Sequence, residues 1–263
     1  MEENRKVIMT VVIFFIVIAM GVALYFLVFQ NRSEGLEEPI QVDDQASLPD
    51  AQEGEDLPIP EPLQIELKGS DDPVRNLAAE LSSHATLSQW LKSGDLVRKF
   101  VAAVDNIANG ESPRSHIAFF KLEDSFDVMA DGSRMSIDPE SYRRFNVVAD
   151  VFSSLNSDTA VRLFWQLKPV LQEAYRDLGY PNRDFKDTLT QAILEMLKVP
   201  VIDDRIEVIK EVVSYKMVDP RLESLSQAQK HLLRMGPENI EIIQGKLKEM
   251  AKKLGISGSR LDL

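Results

Sequence analysis

Residues 219–255, DPRLESLSQAQKHLLRMGPENIEIIQGKLKEMAKKLG, carry the start and stop signals of two helices in close succession. Asp219-Pro220-Arg221 and the run from Leu233 to Asn239 read as tight connections in which Pro and Gly set the backbone. Ser226 with Gln229 makes a capping-box pattern: the serine side chain takes an N–H three residues on, and the glutamine side chain reaches back. Gly236-Pro237 is a weaker start signal before the last helix. Ile240, Ile243, Leu247, Met250, Ala251 and Leu254 then recur at helical spacing and define one apolar face. Gly255, after Lys252-Lys253-Leu254, is a stop, with the lysines set against the negative end of the helix. This end of the chain is expected to be helical.

Similar patterns recur upstream. Leu96, Val97, Phe100, Val101, Val104, Ile107 and Ala108 form one face after Ser93-Gly94, and Phe185, Leu189, Ala192, Ile193, Met196 and Leu197 form another. Asp72-Pro73, Ser112-Pro113 and Asp138-Pro139 each place a capping side chain before a proline suited to the first helical position. Pro169 interrupts the apolar pattern over 161–178 and is expected to kink or split that helix. Two stretches resist a helical reading. Residues 128–137 hold Asp131-Gly132, a strong short-range hairpin signal. Residues 206–217 are rich in β-branched side chains and fit either strand or helix. No repeat of solenoid length is evident. The expected fold is mainly α: an N-terminal transmembrane helix, a disordered linker, and a helical globular domain with a small β-hairpin element.

The chain has 263 residues, 30 Lys+Arg against 42 Asp+Glu, a formal charge of −12 and no cysteine. Without cysteine there is no disulfide framework, thiolate metal site or cysteine nucleophile. The acidic balance argues against nucleic acid as a partner. Charge and hydropathy are unevenly spread. Residues 7–29, VIMTVVIFFIVIAMGVALYFLVF, contain no charged side chain and would span about 35 Å as a helix, enough for a hydrocarbon core of about 30 Å. They read as an uncleaved single-pass anchor in the lipid bilayer, after a short cytoplasmic tail over 1–6. Arg5 and Lys6 precede the span and Arg32 follows it, so the expected orientation is N-terminus inside. Ala19 and Ala23 offer a small-residue spacing on which two spans could pack. Residues 30–73 hold 13 acids, 2 bases and 6 of the 13 prolines, the composition of a disordered, extended linker. Residues 74–263 are nearly neutral and long enough to fold as one domain.

Motifs for phosphate cradles, metalloprotease helices and nucleophile elbows are missing. The three histidines, His84, His116 and His231, do not lie at metal-ligand spacing from one another. Ser115-His116 is adjacent in sequence, which does not position an imidazole to take the serine's proton. Glu140-Ser141 opens a predicted helix and resembles the general-acid dipeptide of wall-cleaving enzymes, but Glu111-Ser112 and Glu223-Ser224 repeat it. Tyr142-Arg143-Arg144 is a compact aromatic–basic cluster that could face an anionic partner, or equally one core-facing tyrosine beside two solvated arginines. No catalytic, cofactor-binding or metal residue is assigned.

The strings SHIAFF (115–120), IDPESYRRF (137–145), LKPVLQEAYRDLGYP (167–181) and DPRLESLSQAQKHLLRMGPENIEIIQGKLKEMA (219–251) resemble the bacterial family known as domain of unknown function 3014. That resemblance spans most of residues 74–255. It implies a Gram-negative inner-membrane protein with an N-terminal span, a variable linker and one domain in the periplasm, and supplies no catalytic residue or cofactor. The functional expectation is a membrane-anchored envelope protein acting as a non-enzymatic binding or scaffolding module with an envelope protein partner. The alternative is a periplasmic cell-wall hydrolase using a carboxylate general acid such as Glu140. Oligomeric state is not readable.

Overall fold

The computed structural model describes residues 60–117, 126–212 and 214–261, which fall within one unit. The expected anchor at 7–29 lies outside them, as does the linker up to residue 59. Among the described residues no helix is long and apolar enough to cross a membrane.

Ten helices and one small sheet are described: α1 (Asp71–Ala78), α2 (Ala85–Trp90), α3 (Leu96–Ala108), β1 (Val128–Asp131), β2 (Arg134–Ile137), α4 (Glu140–Arg143), α5 (Asn146–Ser154), α6 (Ser157–Asp177), α7 (Phe185–Leu197), β3 (Glu207–Lys210), β4 (Tyr215–Met217), α8 (Pro220–Glu223), α9 (Gln227–Leu233) and α10 (Pro237–Lys253). The domain is mainly helical, with two apolar clusters. In the first, α3 packs against α6 and α7 through Val97, Val101, Val104, Phe164, Val170, Tyr175, Phe185 and Ile193. The second joins the inner face of the sheet (Ile137, Val208, Met217) to Val148 of α5, Leu232 and Leu233 of α9, and Ile240 and Ile243 of α10. Helix α10 packs on α5, α6 and α7 and so serves both. Gln244 on α10 donates to the carbonyls of Met196 (3.0 Å) and Val199 (2.9 Å), closing the end of α7 with a buried amide.

The sheet is antiparallel throughout, in the order β1-β2-β3-β4. It is thus two hairpins side by side. The first is the expected one, with the turn one residue later: Asp131 pairs with Arg134, leaving Gly132-Ser133 as the two-residue connection. Gly132 has φ +60 while Ser133 is not left-handed, the type II′ pattern in which glycine takes the first turn position. The second hairpin is residues 206–217, now read as strand. Val208 is buried between neighbouring strands while Glu207 and Ile209 point away, a period of two.

The helix signals in 219–255 are borne out in detail. Ser226 and Gln229 make both bonds of the capping box. After Lys253, Gly255 N–H donates to Lys252 O and Ile256 N–H to Ala251 O, both 3.0 Å, the paired bonds of a Schellman stop. Gly236, at φ +86, lies against Tyr142; a Cβ there would sit 2.4 Å from the ring's Cγ, so both conformation and space require glycine.

Three expectations are corrected. Pro169 does not split its helix: α6 runs unbroken for 21 residues. Leu163, Phe164 and Leu167 before the proline, and Val170, Leu171 and Ala174 after it, are buried in the same cluster, and that burial outweighs one missing hydrogen bond. Asp72 does not cap α1, which begins at Asp71. Instead Asp71 caps α3 across the fold, accepting from Asp95 N–H and Leu96 N–H at 2.8 Å each. Finally, the folded part begins before residue 74. Leu67 is buried in the first cluster, Ile65 packs on it, and Leu63 N–H donates to Gln166 O at 2.8 Å. The expected linker is therefore folded over its last ten or so residues.

Candidate functional site

The second hairpin, α8 and α9 enclose a polar cleft of about 260 Å3 lined by Glu211, Ser214, Tyr215 and Lys216 of the hairpin, Glu223 of α8, and Gln227, Lys230, His231 and Arg234 along α9. The α9 residues recur at i, i+3, i+4 and i+7, one polar face. Ala228, Leu232 and Leu233 are buried on the other side. The local fold follows from the sequence: Asp219 caps α8 by accepting from Arg221 N–H, and the Ser226 box starts α9 three residues after α8 ends.

Charge in the cleft is partly committed. Lys230 Nζ donates to Glu223 Oε1 and to the Glu223 carbonyl, both 2.9 Å, while Glu223 Oε2 accepts from Met217 N–H at 2.9 Å. Burial would raise the Glu223 carboxyl, but Lys230 and the Met217 N–H together hold it below the usual range. Arg234 is different. Its guanidinium is half-buried and makes only a 3.5 Å contact to Tyr215 O, and no carboxylate lies within ion-pair distance among the described residues. Burial and the neighbouring Arg114 disfavour its charge, and Glu223 favours it. Three cationic side chains, Lys216, Lys230 and Arg234, thus line the cleft with the carboxylates Glu211 and Glu223, and the charge of Arg114 acts on His231 and Arg234 from nearby.

His231 Nε2 lies 2.8 Å from Ser112 Oγ. That hydroxyl also accepts from Arg114 N–H as the cap of a single 3-10 turn, and with one proton and a second lone pair it can serve either tautomer of the imidazole. Burial, then Arg114 and Arg234, lower the His231 pKa to about 4. A general base works best near the operating pH, and here two guanidinium groups face the ring. The pair joins the loop after α3 to α9, and its electrostatics are those of a structural hydrogen bond.

Other sites are less promising. A cleft of about 320 Å3 between α3 and α6 is lined by Val101, Ala102, Ala174 and Leu178. Its charges are matched in part, Arg98 lying 3.7 Å from both Asp95 and Asp177. Asp105 is a buried carboxyl raised by that burial and steadied by Tyr180, whose hydroxyl donates at 3.3 Å. It lines neither cleft. No group of three or more His, Asp or Glu suited to a metal ion occurs among the described residues.

The residues singled out from sequence are spread apart. Tyr142 turns inward beneath Gly236, its hydroxyl pKa raised by burial. Arg143 points to solvent and pairs with Glu140 at 2.8 Å. Arg144 lies over the rings of Phe145 (4.7 Å) and Phe126 (5.3 Å). Glu140 is exposed and lines neither cleft. His84 accepts from Thr86 N–H as the cap of α2, and His116 borders the larger cleft. Sequence reading missed the α9 stripe, although Gln227, Lys230, His231 and Arg234 are at the spacing that would have revealed it.

These features define a mainly helical domain with a four-stranded antiparallel sheet and a basic cleft where its second hairpin meets α9. The chain belongs to the family described as protein of unknown function (DUF3014), whose model matches residues 96–251 and with them every residue lining that cleft. No curated protein and no solved structure matches it.

Proposed function

We propose that this is a single-pass inner-membrane protein, anchored in the bilayer through residues 7–29, whose periplasmic domain acts as a non-enzymatic binding or scaffolding module. The membrane reading rests on the uncharged 7–29 run and on Arg5 and Lys6 preceding it. The binding reading is carried by one observation: Arg234 presents a half-buried guanidinium to the cleft with no carboxylate at ion-pair distance among the described residues. Buried charges are ordinarily paired, so such a group is suited to an external anion. Of the Tyr142–Arg144 trio, Arg143 is the member exposed to an envelope protein partner. Glycan cleavage through Glu140 gains no support, because an exposed, ion-paired carboxylate lacks the burial that makes a general acid. With the folded part beginning near Leu63, the tether over 30–62 could reach about 110 Å at roughly 3.3 Å per residue.

Two measurements test this. A reporter active only outside the cytoplasm, fused after Leu263, should be active; an inactive fusion with an active cytoplasmic reporter at the same site reverses the topology. A photo-cross-linking side chain in place of Ser214, exposed at the cleft, in intact cells, should give adducts that Arg234→Gln removes. Adducts indifferent to Arg234 would dissociate binding from the cleft.

A further inference from the structure

Resting on that binding reading, we infer that the cleft between the β3–β4 hairpin and α9 is a receptor for a phosphate group, with Arg234 as its principal contact. A guanidinium has five N–H donors, and the described residues take up one, weakly, through the 3.5 Å contact to Tyr215 O. Lys230 has two donors placed on Glu223, so its third is open to the cleft. Lys216 stands on β4 across from α9, exposed and without an ion pair among the described residues. Donors therefore converge from two elements on one small space.

Charge points to the same class. Glu223 is neutralised by Lys230, and Glu211 is the one other carboxylate lining the cleft. Lys216, Lys230 and Arg234 outnumber those two carboxylates in the lining, and Arg114 acts on Arg234 from nearby, so the space favours an anion such as a phosphate monoester, which carries about 1.5 to 2 negative charges at neutral pH. Size agrees: about 260 Å3 is below the roughly 300 Å3 at which drug-sized pockets begin, room for a phosphate and a short substituent. A dipole-compensating arginine at the end of α9 would need neither burial nor a cleft. The phosphate can be that of a soluble monoester or of a phosphodiester lipid headgroup, since both present at least two terminal, negatively charged oxygens to a guanidinium fork.

The test uses the full-length chain in a nonionic detergent. Inorganic phosphate and glycerol 3-phosphate are titrated by calorimetry at constant ionic strength, with acetate as the comparison anion. Vesicles of phosphatidylglycerol against phosphatidylcholine form a second arm. Saturable phosphate binding, weakened about tenfold or more by Arg234→Gln and less by Arg234→Lys, is expected, because the lysine keeps the charge and loses the fork. Lys248→Gln, the same charge change on the exposed side of α10, should leave it unaltered. Arg234-dependent binding of phosphatidylglycerol vesicles alone assigns the phosphate to a headgroup. If Arg234→Gln unfolds, judged by circular dichroism, Lys216→Gln on the exposed strand takes its place and should weaken binding several-fold. Absence of saturable binding in both arms, or affinity unchanged by these variants, overturns the inference. Should phosphate fail while the Ser214 cross-link remains Arg234-dependent, the binding module stands and only its ligand class falls.

Discussion

At the scale of single residues, His231 is the side chain whose surroundings shape a measurable property most directly. Burial, then Arg114 and Arg234, depress its pKa to about 4, against an unfolded value near 6.5. The folded imidazole stays neutral while the unfolded chain takes up a proton, so its contribution to stability is complete above about pH 6.5 and is lost as pH falls toward 4. Asp71, Asp184 and Glu223, all held low in the fold, lose their contributions at lower pH, through the ordinary carboxylate range and below. Asp105, raised by burial, has the opposite sign and gains as pH falls. Urea unfolding at pH 7.5, 6 and 5 should therefore show declining stability, and His231→Gln, which keeps a polar partner for Ser112, should flatten that decline. An unchanged slope in the variant would place the titration elsewhere. The histidine's fate was not legible from its sequence neighbours, because Ser112 and His231 are 119 positions apart.

Among the elements, α3 shows how a helix start can be supplied from a distance. Its N-cap, Asp95, sits in the left-handed region at φ 57 and makes no side-chain cap bond of its own. The Asp71 carboxylate takes the Asp95 and Leu96 N–H groups instead. Burial alone would raise that carboxyl, but the two N–H groups with Arg75 and Lys99 hold it low. Asp71→Ala should cost about 1–2 kcal/mol, the upper range for losing a helix cap. Asp71→Asn, which keeps one acceptor oxygen, should cost less, and chemical denaturation at pH 7 reads both. Equal stability of all three would show that water serves these N–H groups equally well. From sequence, Asp72-Pro73 looked like the cap of α1; it is the preceding Asp71 that caps, and the N–H groups it serves lie 24 and 25 residues away. Helix α6 teaches the converse. Pro169 is a strong local signal to break, and burial on both sides of it keeps the helix whole.

For the molecule as a whole, the decisive region is 63–67. Composition made this stretch linker, since the surrounding residues are acidic and proline-rich. Yet Leu63, Ile65 and Leu67 alternate with exposed neighbours, and Ile65 and Leu67 dock on the first cluster, a period of two that an averaged charge count conceals. A chain beginning at residue 74 should consequently be less stable than one beginning at residue 60. Burial of Leu67 alone is worth about 1.5–3 kcal/mol, and the longer chain also keeps the Asp71 cap. Urea denaturation of the two lengths checks this. Matching midpoints would show that the segment contributes nothing.

What the sequence determined by itself were the features written in local periodicity and local bonding. The faces of α3, α7 and α10, the Ser226–Gln229 box, the Gly255 stop and the first hairpin depend on residues within a few positions of one another, where spacing alone sets which groups meet. Tertiary structure decided the rest. Within 206–217, Glu207–Lys210 and Tyr215–Met217 became strands because β2 offers its open edge, through Met135 and Ser136, to Val208 and Glu207; β propensity is realised only when a partner strand is present. The cleft likewise exists only because β4 stands against α9, so that Arg234 and Lys216 converge while neither residue signals the other along the chain. Long-range juxtaposition of charge depends on how elements pack, and packing responds to buried apolar surface from both clusters at once, which no single window of sequence contains.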